Sequence, residues 1–225
     1  MSKLLYLVTG TPGSGRLEIL KDLLNGETPE SPQSLILSPR EEGKEADNCW
    51  WREDNEINLP EKNLSTEILN LFLVLDPFQD LADQMEATQN LLAKTDGLDL
   101  GRILFVVHCG MLDKASDKLQ SWNDACAHFA DIALLNRREG ISNRTIGTFR
   151  KRYESMHYPM TFELIKKNRL PNPARVLDPT PRRISHAFDP PENFDPDENH
   201  AIDPYLERLP GGERAKPIPI PFEKT

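Results

Sequence analysis

Along the 225 residues, short unbroken apolar runs alternate with stripes at helical spacing. The run from Leu4 to Val8 leads into Gly10-Thr11-Pro12-Gly13-Ser14-Gly15, after which Leu17, Ile19, Leu20, Leu23 and Leu24 recur every three or four positions. Strand, glycine loop and helix is the reading. A second short strand is expected at Ser34 to Leu37, and the run from Leu69 to Leu75, apolar but for Asn70 and closed by Asp76, has the character of a strand buried on both faces. A helix follows around Leu81 to Leu92, then a strand at Ile103 to Val107, a helix around Ala115 to Phe129 and a strand at Asp131 to Leu135. Asn143 to Glu154 reads as a basic helix and Thr161 to Lys167 as a further short one. Strands alternating with helices imply right-handed crossovers, hence an α/β, three-layer domain with a mostly parallel sheet.

Composition changes this picture in two places. Between Glu27 and Glu56 nine acids face three bases with few large apolar residues, which predicts a mobile acidic loop region. From Pro171 onward lie twelve of the nineteen prolines, so the chain divides into a folded domain, residues 1–170, and an extended Pro-rich C-terminal tail, residues 171–225. Phe188, Phe194, Ile202, Tyr205, Leu206, Ile218, Ile220 and Phe222 give that tail something to bury. Part of it is therefore expected to pack on the domain, with a strand-like stretch near Ile218 to Phe222 along a sheet edge.

The net charge of −9 conceals a basic stretch, Arg137 to Arg183, with twelve Lys or Arg against four acids. Its apolar positions fit a helix face and no RNA-binding signature accompanies them, which argues against nucleic acid as a partner. No apolar run reaches the roughly 20 residues of a membrane helix and the first residues lack the pattern of a signal peptide, so no membrane and a cytoplasmic location are expected. Cys49, Cys109 and Cys126, odd in number and widely spaced, read as reduced thiols.

The glycine loop carries the chemistry. Gly10, Gly13, Ser14 and Gly15 have the frame G-x-x-x-x-G-K-[ST], in which backbone N–H groups and a helix N-terminus hold phosphate oxygens. The two functional side chains differ, because Arg16 stands at the Lys position and Leu17 at the hydroxyl position. Leucine offers no oxygen to Mg²⁺, and a guanidinium is not a compact point charge, so binding can persist where hydrolysis fails. His108-Cys109 and Cys126-Ala127-His128 are the other soft-ligand pairs, neither a strong chelate alone.

Ala130-Asp131-Ile132-Ala133-Leu134-Leu135-Asn136-Arg137-Arg138-Glu139 resembles the A-D-x-h-h-h-N-K-x-D stretch of the CobW/HypB/UreG family of P-loop GTPases, and the order of segments over residues 3–155 is similar. The resemblance implies a P-loop NTPase-like domain binding GTP or GDP, with Asn136 and Glu139 at the base and Asp76 at the position of the acid that holds Mg²⁺. Gln79 stands where the family has a glycine after that acid, which with Leu17 argues against Mg²⁺. Asp47-Asn48-Cys49-Trp50-Trp51-Arg52 is similar to the family's metal-handling C-x-C-C segment, with Cys49 alone retained, too few ligands for Zn²⁺. Two functions stay open: a CobW-like nucleotide-binding protein, with little hydrolysis and a link to metal trafficking, or a catalytically inactive pseudo-GTPase. The second would be a protein-interaction module working through Trp50, Trp51 and the Pro-rich tail.

Overall fold

The computed structural model describes residues 3–25, 33–40, 48–60, 67–189 and 202–223. In chain order the elements are β1 (Lys3–Gly10), α1 (Arg16–Leu24), β2 (Gln33–Pro39), β3 (Cys49–Glu53), β4 (Glu56–Asn58) and β5 (Ile68–Val74). Then come α2 (Leu81–Lys94), β6 (Leu98–His108), a 3₁₀ turn (Cys109–Lys114), α3 (Asp117–Phe129), β7 (Ile132–Asn136), α4 (Asn143–Ser155), β8 (Thr161–Leu164) and α5 (Pro173–Leu177). Among the described residues these strands form one sheet in the order β4-β3-β2-β5-β1-β6-β7-β8. Every neighbouring pair is parallel except the β3–β4 hairpin.

The central strands are predominantly apolar, apart from residues such as Asn70 and the buried Thr9 and Arg102, because both faces are covered. Leu5, Leu7, Leu71, Leu73, Ile103, Phe105 and Val107 point to one layer, against Met85 and Leu91 of α2, Trp122 and Phe129 of α3 and Phe149 of α4. Their alternates Tyr6, Val8, Phe72, Val74, Leu104 and Val106 point to the other, against Ile19, Leu20 and Leu23 of α1 and Val176 of α5. The domain is thus a three-layer α/β sandwich with β1 at the middle of the sheet and its glycine loop at the carboxyl edge.

Three expectations need correction. Thr161 to Lys167 is not a helix: Thr161–Leu164 pairs in parallel with β7, with Phe162 opposite Ala133 and Glu163, opposite Leu134, ion-paired to Arg175. A four-residue strand is too short for its alternation to outweigh a helical reading. The second half of the acidic loop region is ordered, since Cys49–Glu53 and Glu56–Asn58 form the β3–β4 hairpin on β2; residues 27–32 and 41–47 lie outside the described ones. Finally, residues 218–222 form no strand and do not extend the sheet. Ile218 is buried in the core under α2, α3 and α4, and Phe222 sets its ring edge against Trp122 at 5.2 Å and Phe78 at 6.4 Å.

The segment 202–223 is fastened by side chains as well. Tyr205 and Leu206 are buried in the same core, and Arg214 donates to Asp83 at 2.7 Å and to Glu86 of α2. Asp203 accepts from His128 Nε2 at 2.7 Å and from Ser185 Oγ at 2.5 Å. Burial opposes ionisation of Asp203, but these hydrogen bonds, with the one from the Tyr205 N–H, prevail and hold its pKa below the ordinary carboxylate value. A lowered folded-state pKa stabilises above the unfolded value, near 4, and the contribution disappears as pH falls through the folded value. Hydrogen exchange, corrected for intrinsic rates, is therefore expected to show residues 202–223 losing protection below about pH 4. Asp203→Asn should flatten that acid limb, and an unchanged limb in the variant would show that other carboxylates control it.

Candidate phosphate-binding loop and adjoining cleft

Residues 10–15 turn from β1 into α1 with Ser14 N donating to Thr11 O at 3.2 Å. Gly10 is required by contact, since a Cβ there would stand 2.5 Å from the Val106 carbonyl of β6. Gly15 is required by conformation and contact, with φ of 88° and a Cβ position 2.5 Å from Asn136 Nδ2. α2, α3, α4 and α5 are each capped by a side chain, Asp80, Ser116, Ser142 and Asn172 respectively, whereas α1 has Gly15 at its cap and no side-chain acceptor. The hydroxyls of Thr11 and Ser14 are buried and have no partner among the described residues. Buried polar atoms without partners are rare, and here they lie in the loop whose open N–H groups suit an anion.

Asn136, at the end of β7, is buried and donates through Nδ2 to Ser14 O and to Asn168 Oδ1, both at 2.8 Å. It braces the loop from below. Arg137, at φ of 52°, reaches over it, with Nε donating to Gly13 O at 3.3 Å and Nη2 to Glu18 at 3.2 Å. Glu139 is exposed in the turn beyond. β7 therefore brings Asn136 to the loop, while Glu139 makes no contact with it among those described.

On the other side Arg16 does not arch over the loop. Its Nη1 donates to Leu75 O at 2.5 Å. Burial lowers its pKa to about 10, against the opposing pull of Asp76, so the guanidinium remains charged at neutral pH. Asp76 Oδ1 accepts from the Phe78 N–H at 2.9 Å and Oδ2 from Gln79 Nε2 at 3.2 Å. Gln84 of α2, fully buried, clamps the Asp76 backbone, accepting from its N–H at 2.8 Å and donating to its carbonyl at 2.9 Å. With Leu17 supplying no oxygen and Arg16 beside Asp76, the described donor set does not suit Mg²⁺.

The thiols are dispersed. Cys49 is buried at the start of β3, Cys109 is pushed up to about 12 by burial, and Cys126, in contact with Thr9 Oγ1 at 3.3 Å, is likewise raised by burial. Among the described residues no group of three His, Cys, Asp or Glu could hold a metal ion. His108 is separated from Cys109 in role: its ring lies against Gly13 and Gly110, its Nδ1 has no partner among the described residues, and burial lowers its pKa. Trp50 is not an exposed contact, being 1% accessible with Nε1 donating to Val74 O at 2.8 Å, while Trp51 is half-buried.

Asn168, Gln84 and Arg40 are site residues that the sequence does not single out. Asn168 lies in a turn at positive φ, for which Lys-Lys-Asn is a weak signal, and Gln84 is one polar residue on an otherwise amphipathic helix. Beside Arg16 and Leu17 a cleft of about 790 Å³ opens between the carboxyl ends of β2 and β5 and the β3 strand.

The strand order and the glycine loop at the centre of the sheet define a three-layer α/β domain of the P-loop type. No protein-family profile and no curated protein sequence matches the chain. Among solved structures it is similar to the Zn(II)-bound YjiA GTPase from E. coli, at a TM-score of 0.44 and 13% identity over 74% of this chain and 58% of that one. It is similar also to the LAO/AO transport system kinase, at 0.40 and 14% identity over 73% and 53%, and to a triple mutant of the Zn(II)-bound YjiA GTPase, at 0.43 and 12% over 74% and 59%. The chain thus spans less than two thirds of the length of these structures. No described helix is long and apolar enough to cross a membrane.

Proposed function

We propose that the chain binds a guanine nucleotide, GTP or GDP, with its phosphates in the loop from Gly10 to Gly15 and its base toward Asn136 and Glu139, and that it turns the nucleotide over negligibly. The observation that carries this reading is the loop itself: a helix start with no side-chain cap and buried Thr11 and Ser14 hydroxyls that have no partner among the described residues. Gly13, Ser14 and Gly15 supply backbone N–H groups to the phosphates, and Asn136 holds the loop in shape. Leu17 gives no ligand to Mg²⁺ and Arg16 is engaged with Leu75 O, so the electrostatic clamp that accelerates phosphoryl transfer is missing. Metal trafficking is no part of this proposal, because the described residues supply no donor cluster.

Calorimetric titration with GTP, GDP and ATP, in Mg²⁺ and in EDTA, tests it. Guanine nucleotides are expected to bind with affinities that differ by less than about threefold between the two conditions, a few tenths of a kcal/mol. Gly15→Ala, which strains φ and strikes Asn136, should weaken them about a hundredfold. A Mg²⁺-dependent steady-state GTPase rate would overturn the hydrolysis claim. Absence of binding by all three nucleotides would favour the interaction module, a reading supported by the internal satisfaction of Arg16 and Arg137.

A further inference from the structure

The cleft beside Arg16 lies outside the cradle formed by residues 10–15 and has its own chemistry. Among the described residues three arginines, Arg16, Arg40 and Arg52, line it against one carboxylate, Asp76, in a chain whose net charge is −9. Both oxygens of Asp76 already accept hydrogen bonds from its own loop. Arg52 is tied down, donating to Asp54 O at 2.8 Å with Asp83 at 3.5 Å. Arg40 differs from it. Its guanidinium lies 5.3 Å from the centre of the Trp51 ring and makes no hydrogen bond or ion pair to any described side chain or carbonyl. A guanidinium laid on an indole keeps its edge donors available, and that fork matches phosphate or carboxylate.

The remaining wall is apolar. Leu17 is 39% exposed at the cleft, and Trp51, Pro77 and Phe78 flank it. The volume of about 790 Å³ falls within the range of small-molecule sites, and the position, at the carboxyl ends of parallel strands, is where ligands collect in open α/β sheets. A site for a bare inorganic anion would not need the uncovered leucine and indole, and a purely apolar site would not gather arginines. We propose that this cleft binds a small aromatic anion, one phosphate or carboxylate joined to a flat apolar body, with the anion on the fork of Arg40, near the charge of Arg16 whose Nη1 stays on Leu75 O, and the body against Trp51 and Leu17. The proposal does not rest on the nucleotide reading.

The test uses the full chain without nucleotide and follows the indole N–H signals of its three tryptophans by NMR while phenyl phosphate is added. Trp51 is expected to shift along a saturable curve while Trp122, buried in the layer of α2, α3 and α4, stays in place. Phenol, which lacks the charge, and inorganic phosphate, which lacks the ring, should each bind at least about tenfold more weakly. Arg40→Ala should cost about tenfold and Arg40→Lys less, since the charge remains while the fork is lost. Gly13→Asp places a carboxylate in the cradle at a positive φ that Asp tolerates, and it should leave the Trp51 titration unchanged. No saturable shift of Trp51, or an equal response to phenol, overturns the proposal. So does a titration that survives Arg40→Ala but is lost in Gly13→Asp, which would place the anion in the glycine loop and leave the nucleotide reading intact.

Discussion

Asp131→Ala is expected to cost about 3–5 kcal/mol, the scale for removing one partner from a buried ion pair. Asp131 is fully buried immediately before β7, the strand that lies between β6 and β8. Its Oδ2 accepts from the Ile103 N–H at 2.8 Å, and its Oδ1 accepts from the Arg182 N–H at 2.6 Å and from Arg183 Nη1 at 3.2 Å. Alanine would strand two backbone donors and deprive the buried Arg183 guanidinium of one of its two carboxylates, the other being Asp189. A desolvated donor without an acceptor loses its full hydration, so the loss exceeds the modest net worth of the bonds themselves. The melting temperature should fall by about 10 °C or more, at about 2–4 °C per kcal/mol for a chain of this size. Asp131→Ala with Arg183→Ala should recover part of the loss, because the double change removes the stranded charge. A single variant that melts within about 2 °C of the parent would mean that water reaches this carboxylate. The site is also affected, since the strand that Asp131 seats ends at Asn136, which braces the loop.

The parts of the fold that were legible in the sequence share one physical property. β1, β5 and β6 are covered on both faces, so each carries an apolar run of five residues, 4–8, 71–75 and 103–107, and the glycine loop announces itself by its residue types between a strand and a helix. β3, β4 and β8 lie at the two ends of the sheet, are three to five residues long and carry polar residues, so neither length nor alternation marks them. The Cys49-Trp50-Trp51 segment shows the limit of local reading. Two adjacent tryptophans on a strand face opposite ways, and only the fold decides that Trp50 finds the Val74 carbonyl while Trp51 lies along the cleft. Asn168, Gln84 and Arg40 contribute through partners that are distant in sequence or exposed at a rim, where one residue type at one position carries no signal. Asn136 was legible as part of a motif, but its amide proved to hold the loop and Asn168.

A chain ending at Asp189 is expected to fold but to melt about 10 °C lower and to bind a hydrophobic dye. It keeps Arg183 and Asp189 for Asp131, and it keeps the 175–180 segment that Arg102 and Tyr6 hold through the Arg175, Thr180 and Leu177 carbonyls. It loses Tyr205, Leu206, Ile218 and Phe222, whose removal uncovers Trp122 and Phe78, with His128 losing Asp203 and α2 losing Arg208 and Arg214. Each fully buried apolar side chain of this size is worth about 1.5–3 kcal/mol before the ordering of its backbone is set against it. A shorter chain ending at Leu170 should fare worse, because it also removes Arg183 and exposes the Asp131 carboxylate to a core without its cation. The ordering of the two truncations matters as much as their size: a loss confined to the shorter chain would show the 202–223 segment to be a tether. In that case Phe222 contributes nothing to the position of Phe78 in the Asp76 loop, and the same apolar side chains become available to a partner, which is what an interaction module requires.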